Sequence, residues 1–104
     1  MRIDDIFDEN VLIDIFKTTE NHDVRVAAVK KINDREILID IARTDGNHEV
    51  RAVAVKKIND WEILIDIART DEDKHIRRIA TEKLVKYWYK IKNKYQKKAM
   101  KNYY

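Results

Sequence analysis

The sequence repeats itself three times at a fixed period of 26 residues, in segments 6–31, 32–57 and 58–83. The first and second copies are identical at 15 of 26 positions, and the second and third at 16 of 26, without a gap. Such a period is typical of arrays in which each copy buries its apolar face against its neighbours. The sequence therefore predicts one stacked array whose function lies on exposed surfaces.

The composition favours helices. The 104 residues include no proline, no cysteine and one glycine. Proline and glycine disfavour helix interiors, so their near absence predicts an all-α protein. The lack of cysteine excludes disulfides and thiolate chemistry. No apolar run approaches the ~20 residues of a membrane span, and the N-terminus lacks the apolar segment of a signal peptide. We therefore expect a cytoplasmic protein without a membrane span.

The middle copy shows how one repeat is expected to fold. Asp34 precedes an apolar face at helical spacing and is placed to cap a helix N-terminus. The apolar residues of this first helix are Ile37, Leu38, Ile41 and Ala42. Turn-forming residues 44–47 then end it, and a second helix follows with Val50, Ala54, Val55 and Ile58 on one face. Because Asp8 and Asp60 hold the position of Asp34, each copy is predicted to be a pair of short antiparallel helices.

The turns and second helices carry a recurring pattern. It consists of Asp45, Val50, Arg51, Ala54 and Ile58, and returns as Asp71, Ile76, Arg77, Ala80 and Leu84. This pattern resembles HEAT-like repeats, particularly short prokaryotic ones related to phycobilisome-lyase repeats. The resemblance covers residues 6–84 and implies a right-handed α-solenoid of three helical pairs, with a ladder of ion pairs between successive units. The ladder residues would be Asp45, Asp71, Arg25, Arg51 and Arg77.

Two features depart from that family. Thr19 stands where the first ladder aspartate would be, which predicts a modified end unit. The period of 26 residues is also short, because a HEAT unit has about 40–47 residues, and this predicts compact helices.

Both ends differ from the repeat. Residues 3–6 align with the end of a second helix, so residues 1–5 are predicted to be a truncated N-terminal cap of the array, which spans residues 1–83. After Lys83 the Asn-Asp turn is missing, so one helix is predicted to continue from Lys74 to Met100. Residues 84–104 would then be a basic, aromatic helical extension of the same domain.

The extension carries a predicted apolar stripe that something must cover. Its members are Leu84, Trp88, Ile91, Tyr95 and Ala99. Three covers are consistent with the sequence: packing of the near half on the last repeat, association with a second copy or a partner protein, or contact with a nucleic acid or an anionic membrane surface.

The charges are unevenly distributed. Residues 1–82 carry 14 basic and 19 acidic residues, a net charge of −5, whereas residues 83–104 carry eight lysines and no acid, a net charge of +8. On the second helices, the side chains expected to project away from the packed face are Lys30, Lys31, Lys56, Lys57, Arg78 and Lys83. The resemblance places the second helices on the concave side, so it implies a basic stripe there that the extension continues. The candidate partner-binding residues are Lys30, Lys31, Lys56, Lys57, Arg78, Lys83, Lys86, Tyr87, Trp88 and Lys90. The alternative is that these lysines form a solvated face that balances nearby acids.

No arrangement of residues indicates catalysis, a metal or a cofactor. Asp14, Asp40 and Asp66 recur because the repeat was duplicated, and His22 and His48 lack a third ligand for a metal. The sequence therefore favours a non-enzymatic binding module or scaffold that recognises an acidic protein segment. The alternatives are nucleic-acid binding through the same lysines and aromatic residues, and an enzyme accessory subunit, which rests on the resemblance alone.

Overall fold

The structure is a computed structural model that describes residues 2–103, excepting the side chains of Asp4 and of residues 95–103. In this part of the chain the secondary structure is a short 3₁₀ helix, Ile3–Asp5, followed by six α-helices and no strand. The α-helices are α1 (Glu9–Thr18), α2 (His22–Lys31), α3 (Arg35–Thr44), α4 (His48–Lys57), α5 (Trp61–Thr70) and α6 (Lys74–Tyr103). The prediction of an all-α protein is confirmed.

Each α-helix begins next to a polar side chain that accepts a hydrogen bond from its first turn. These residues are Asp8, Asn21, Asp34, Asn47, Asp60 and Asp73. The predicted caps Asp8, Asp34 and Asp60 are among them, and α1, α3 and α5 end at Thr18, Thr44 and Thr70, which hold one position of the repeat. Capping satisfies amides that have no partner within the helix, so the boundaries repeat along with the caps.

The helices pack in consecutive pairs, and the second members of the pairs also pack on one another. Helices α1, α3 and α5 lie against α2, α4 and α6 respectively, while α4 contacts both α2 and α6. Helices of about ten residues are marginal in isolation, so this packing must supply most of their stability.

One apolar core connects the three pairs, and its members recur at the repeat period. Leu12, Leu38 and Leu64 hold the same position in α1, α3 and α5, and none is more than 5% exposed. The predicted core residues of α4 are also buried: Val50, Ala54, Val55 and Ile58. Full burial of one such side chain stabilises the folded state by about 1.5–3 kcal/mol.

Arginines of one pair bind aspartates of the next. The Arg25 guanidinium lies 2.5 Å from the Asp45 carboxylate, and Arg51 Nε lies 3.2 Å from Asp71 Oδ2. The side chains of Arg51 and Asp71 are each only 7% exposed. At the corresponding position of the first pair, the hydroxyl oxygen of Thr19 accepts a local hydrogen bond from the amide of Asn21, at 3.2 Å. The implied ladder contacts of Arg25 and Arg51 are therefore present, while membership of the HEAT-like family stays a prediction.

The two ends differ in size. At the N-terminus, Ile3 and Ile6 pack against the core. At the C-terminus, α6 continues past Lys83 without a break, as predicted, and ends at Tyr103 rather than Met100. Its 30 residues span about 45 Å at the rise of an α-helix. Within the residues that the structure describes, no helix combines the length and apolarity needed to cross a membrane.

Candidate partner-binding site

A groove with a basic rim, called here the basic groove, lies where α6 leaves the packed pairs. Its volume is about 710 Å³, and it is lined by Lys56, Asn59, Trp61, Leu64, Ile79, Glu82, Lys83, Lys86, Tyr87 and Lys90. Lys56 at the end of α4 and Lys86 and Lys90 on α6 are exposed. The one acid among these residues, Glu82, accepts a hydrogen bond from Arg78 Nε at 3.1 Å. The groove therefore combines exposed lysine ammonium groups with apolar walls. Such a surface can bind the carboxylates of a ligand that is also partly apolar.

The structure brings five of the ten predicted site residues into this groove: Lys56, Lys83, Lys86, Tyr87 and Lys90. Arg78 is exposed beside it and binds Glu82. Trp88 lines a neighbouring groove, described below. Lys30 is exposed on α2, one repeat before Lys56.

Three of the predicted site lysines occupy one position of the repeat, and they cap helix ends. Lys31 donates to the carbonyl of Ile3 at 3.1 Å; Lys57 donates to those of Val29 at 3.2 Å, Lys30 at 2.7 Å and Ile32; Lys83 donates to those of Val55 at 3.2 Å, Lys56 at 2.6 Å and Ile58. These carbonyls lie in the 3₁₀ helix or at the C-terminus of the preceding second helix, where few amide donors remain. Those of Ile3, Val29 and Val55 also accept a hydrogen bond from a cap amide.

The prediction that Lys31, Lys57 and Lys83 project away from the packed face is therefore wrong. All three are only partly exposed, and burial lowers the pKa of Lys57 and of Lys83 below the ordinary value of 10.5. A long aliphatic stem lets lysine cross a packed surface and reach polar atoms beyond it, which a helical wheel of one repeat does not reveal.

The aromatic residues of α6 are largely exposed. Tyr87 is 45%, Trp88 55% and Tyr89 56% exposed. Trp88 and Tyr89 meet edge to face with ring centroids 5.5 Å apart, and Lys92 Nζ lies 5.0 Å from the Trp88 centroid. Large aromatic side chains that remain open to solvent are characteristic of binding surfaces.

The predicted apolar stripe is covered only at its beginning. Leu84 packs against the core, as expected for the near half of the extension. The next member, Trp88, is exposed, and Ile91 is partly exposed. Tyr95 and Ala99 lie outside the described side chains. Most of the stripe that can be described is therefore open.

A second groove, called here the end groove, lies between α5 and α6 on the last helical pair. Its volume is about 770 Å³, and it is lined by Trp61, Ile65, Thr81, Leu84, Val85, Tyr87, Trp88, Tyr89 and Ile91. Trp61, 47% exposed, lines both grooves. The sequence prediction omitted it, although it differs from Glu9 and Arg35 at the same repeat position, and such a difference was the available signal.

One histidine and one of the repeated acids, His22 and Asp66, take part in contacts between successive pairs. His22 Nε2 lies 2.7 Å from Glu49 Oε2, which holds the pKa of the Glu49 carboxyl below its ordinary value of 4.5. Asp66 accepts a hydrogen bond from Arg43 at 3.1 Å. Among the described residues, no three His, Cys, Asp or Glu side chains gather to hold a metal ion.

Comparison of the chain with protein-family models, with curated proteins and with solved structures finds no match.

Proposed function

We propose that this chain is a non-enzymatic binding module that recognises an acidic protein segment in the basic groove. The observation that carries this proposal is the convergence of Lys56, Lys86 and Lys90 on one open groove. These lysines come from two helices, and they meet because α6 continues past the third repeat. Their ammonium groups are available to a ligand, unlike those of Lys57 and Lys83.

We place this module in a right-handed HEAT-like α-solenoid. The stacking of α2, α4 and α6 and the repeated Arg-Asp contacts support that arrangement. The hand follows from the resemblance. In this arrangement the basic groove lies at the end of the row of second helices.

The walls of the groove favour a protein segment over a polyanion. Leu64 and Ile79 lie beside the lysines, so a ligand with both carboxylates and apolar side chains would use the whole surface. Residues 1–82 carry a net charge of −5, which repels a long polyanion more than a short acidic segment.

Fluorescence anisotropy tests this proposal. The probe is a fluorescein-labelled peptide rich in Glu, Asp and Leu, and the matched probe carries Gln and Asn instead. We expect saturable binding of the acidic peptide only. The double variant Lys56→Glu, Lys90→Glu should bind it about tenfold more weakly, because two favourable charge pairs become repulsive. The double variant Lys17→Glu, Lys74→Glu is the matched control, because it changes the overall charge equally at two exposed positions outside the groove, and it should bind like the parent protein.

Equal binding of both peptides, or unchanged affinity in the double variant, would refute recognition through these lysines. The control double variant separates a local effect from a change in overall charge, since it reverses the same number of charges outside the groove lining.

Nucleic acid is the second candidate ligand, favoured by the exposed aromatic side chains of Tyr87, Trp88 and Tyr89 among lysines. Bases stack on such side chains. Binding of labelled mixed-sequence DNA and RNA at about 50 and about 200 mM salt distinguishes the candidates. For each phosphate that the protein neutralises, the logarithm of the association constant falls by almost one unit per tenfold rise in salt concentration. Binding tighter than that of the peptide, with such a slope, would favour nucleic acid.

A further inference from the structure

The end groove occupies the face on which a fourth helical pair would stack. At the junction of the second and third pairs, three residues of the second pair contact carboxylates of the third. Arg35 binds Asp60, Arg43 lies 3.1 Å from Asp66, and Arg51 lies 3.2 Å from Asp71. Each carboxylate lies in or beside α5. One short acidic helix with its two cap residues therefore binds all three arginines of the preceding pair.

In the third pair, the positions of Arg35, Arg43 and Arg51 are occupied by Trp61, Arg69 and Arg77, so two of the three arginines recur. Arg69 is exposed. Arg77 donates to the backbone carbonyl of Asp71 at 2.7 Å, as Arg51 does to that of Asp45. Among the described side chains, no carboxylate contacts Arg69 or Arg77.

The chain cannot supply those carboxylates in the same register. The positions 26 residues after Asp60, Asp66 and Asp71 are occupied by Lys86, Lys92 and Lys97. At each of these three positions a lysine thus replaces the aspartate of the preceding copy. Arg69 and Arg77 can complete the repeated contact only with acids from another segment.

The apolar residues of the end groove and the two arginines, Arg69 and Arg77, lie on one continuous surface. Trp61, Ile65 and Arg69 follow one another at four-residue intervals along α5, and Arg77 and Thr81 do so along α6. Ile65 and Thr81 line the end groove. Arg69 and Arg77 therefore lie near the turn between α5 and α6, and Trp61 lies at the other end of α5.

We propose that the end groove docks an acidic amphipathic helix of another protein, in the place of the first helix of a fourth pair. The ligand would carry two carboxylates five residues apart, as Asp66 and Asp71 are, with apolar residues before them. The carboxylates bind Arg69 and Arg77, and the apolar residues cover Trp61 and Trp88. This proposal does not depend on the basic groove.

A second copy of this chain fits less well. Its free N-terminal pair offers Asp14 at the position of Asp66, but Thr19 at the position of Asp71, which leaves Arg77 without a carboxylate. Such head-to-tail stacking would also be heterologous and would propagate into a filament rather than close.

The chain itself provides the probe. A capped, fluorescein-labelled peptide with the sequence of residues 58–73 carries both carboxylates in the required register. We expect it to bind the full-length protein saturably by anisotropy. The Asp66→Asn, Asp71→Asn peptide should bind about fivefold more weakly, because it loses two exposed ion pairs.

Two protein variants locate the site. Arg69→Glu should weaken binding of the parent peptide by at least about fivefold and should regain affinity for an Asp66→Lys peptide. Trp88→Ala should also weaken binding, through lost apolar contact. Lys17→Glu lies outside both grooves and should bind the peptide like the parent protein. Weaker binding in Lys56→Glu, Lys90→Glu with unchanged binding in Arg69→Glu would place the peptide in the basic groove and overturn this proposal alone, so its failure is distinct from failure of the proposed function.

Absence of saturable binding, or equal binding of the Asn peptide, would overturn the proposal. Sedimentation of the protein alone tests the other occupant: concentration-dependent self-association that Arg69→Glu abolishes would assign the end groove to a second copy and would equally overturn it.

Discussion

The ammonium group of Lys57 lies 2.7 Å from the carbonyl oxygen of Lys30, so the last residue of α4 caps the last turn of α2. Lys83 repeats this contact with Lys56 at 2.6 Å. A helix C-terminus carries unpaired carbonyls and a partial negative charge, and both favour a cation. The repeated lysine therefore ties successive second helices together.

Replacing Lys57 by methionine should destabilise the protein. The variant keeps most of the aliphatic stem but leaves carbonyls of α2 without the charged donor, at a cost of about 1–3 kcal/mol. Urea denaturation followed by circular dichroism measures this cost. Lys56→Met, at the exposed neighbouring position, should stay within about 0.5 kcal/mol of the parent. Equal stabilities of the two variants would show that the carbonyl contacts of Lys57 contribute nothing net.

The buried ion pair between Arg51 and Asp71 should be sensitive to loss of one partner. Both side chains are 7% exposed, so Arg51→Met leaves a carboxylate without its counter-ion and should cost about 3–5 kcal/mol. Arg43→Met breaks the contact with Asp66, whose partners are 44% and 49% exposed. An exposed pair contributes at most about 1 kcal/mol. Comparable losses in the two variants, measured by urea denaturation, would contradict a special role for the buried pair.

Stability should fall in acid partly through Asp60. Hydrogen bonds from Arg35 and from the amides of residues 63 and 62 lower the pKa of the Asp60 carboxyl below its ordinary value of 3.8. The folded state then binds a proton less readily than the unfolded state, so the stabilisation is present above pH 3.8 and is lost as the pH falls through the lower, folded-state pKa. Asp60→Asn retains a capping oxygen but cannot titrate.

The measurement is the urea midpoint between about pH 5 and pH 2, the range over which such carboxyls titrate. The parent midpoint should fall more steeply than that of Asp60→Asn, with the difference confined to the acid end. Parallel curves would mean that Asp60 titrates alike in the folded and unfolded states.

The repeat made much of the fold predictable. Caps such as Asp34 and the continuation of α6 past Lys83 follow from local rules, because a helix begins at a polar cap and continues where nothing interrupts it. The buried face of α4 follows from helical periodicity. Comparison of copies was sufficient because each copy experiences the same neighbours.

The site was less predictable, because it depends on contacts between copies. Lys56 and Lys57 are adjacent in sequence, yet one is exposed and the other reaches across to α2. No property of a single repeat distinguishes them, since the acceptor carbonyls lie 25 to 28 residues away. Trp61 was overlooked for a related reason: both grooves that it lines are formed with α6, which the sequence of α5 alone does not reveal.

The length of α6 that the fold requires can be tested by truncation. Beyond Leu84 the described side chains of α6 leave the core, so a chain ending at Lys92 should keep a cooperative thermal transition within about 4 °C of the parent midpoint. A chain ending at Lys83 lacks Leu84, which packs on the core at the position of the buried Ile58, and should melt substantially lower. Differential scanning calorimetry compares them. Loss of the transition in the longer truncation would mean that residues after Lys92 belong to the folded core, whereas an unchanged midpoint in the shorter one would show that Leu84 contributes little to it.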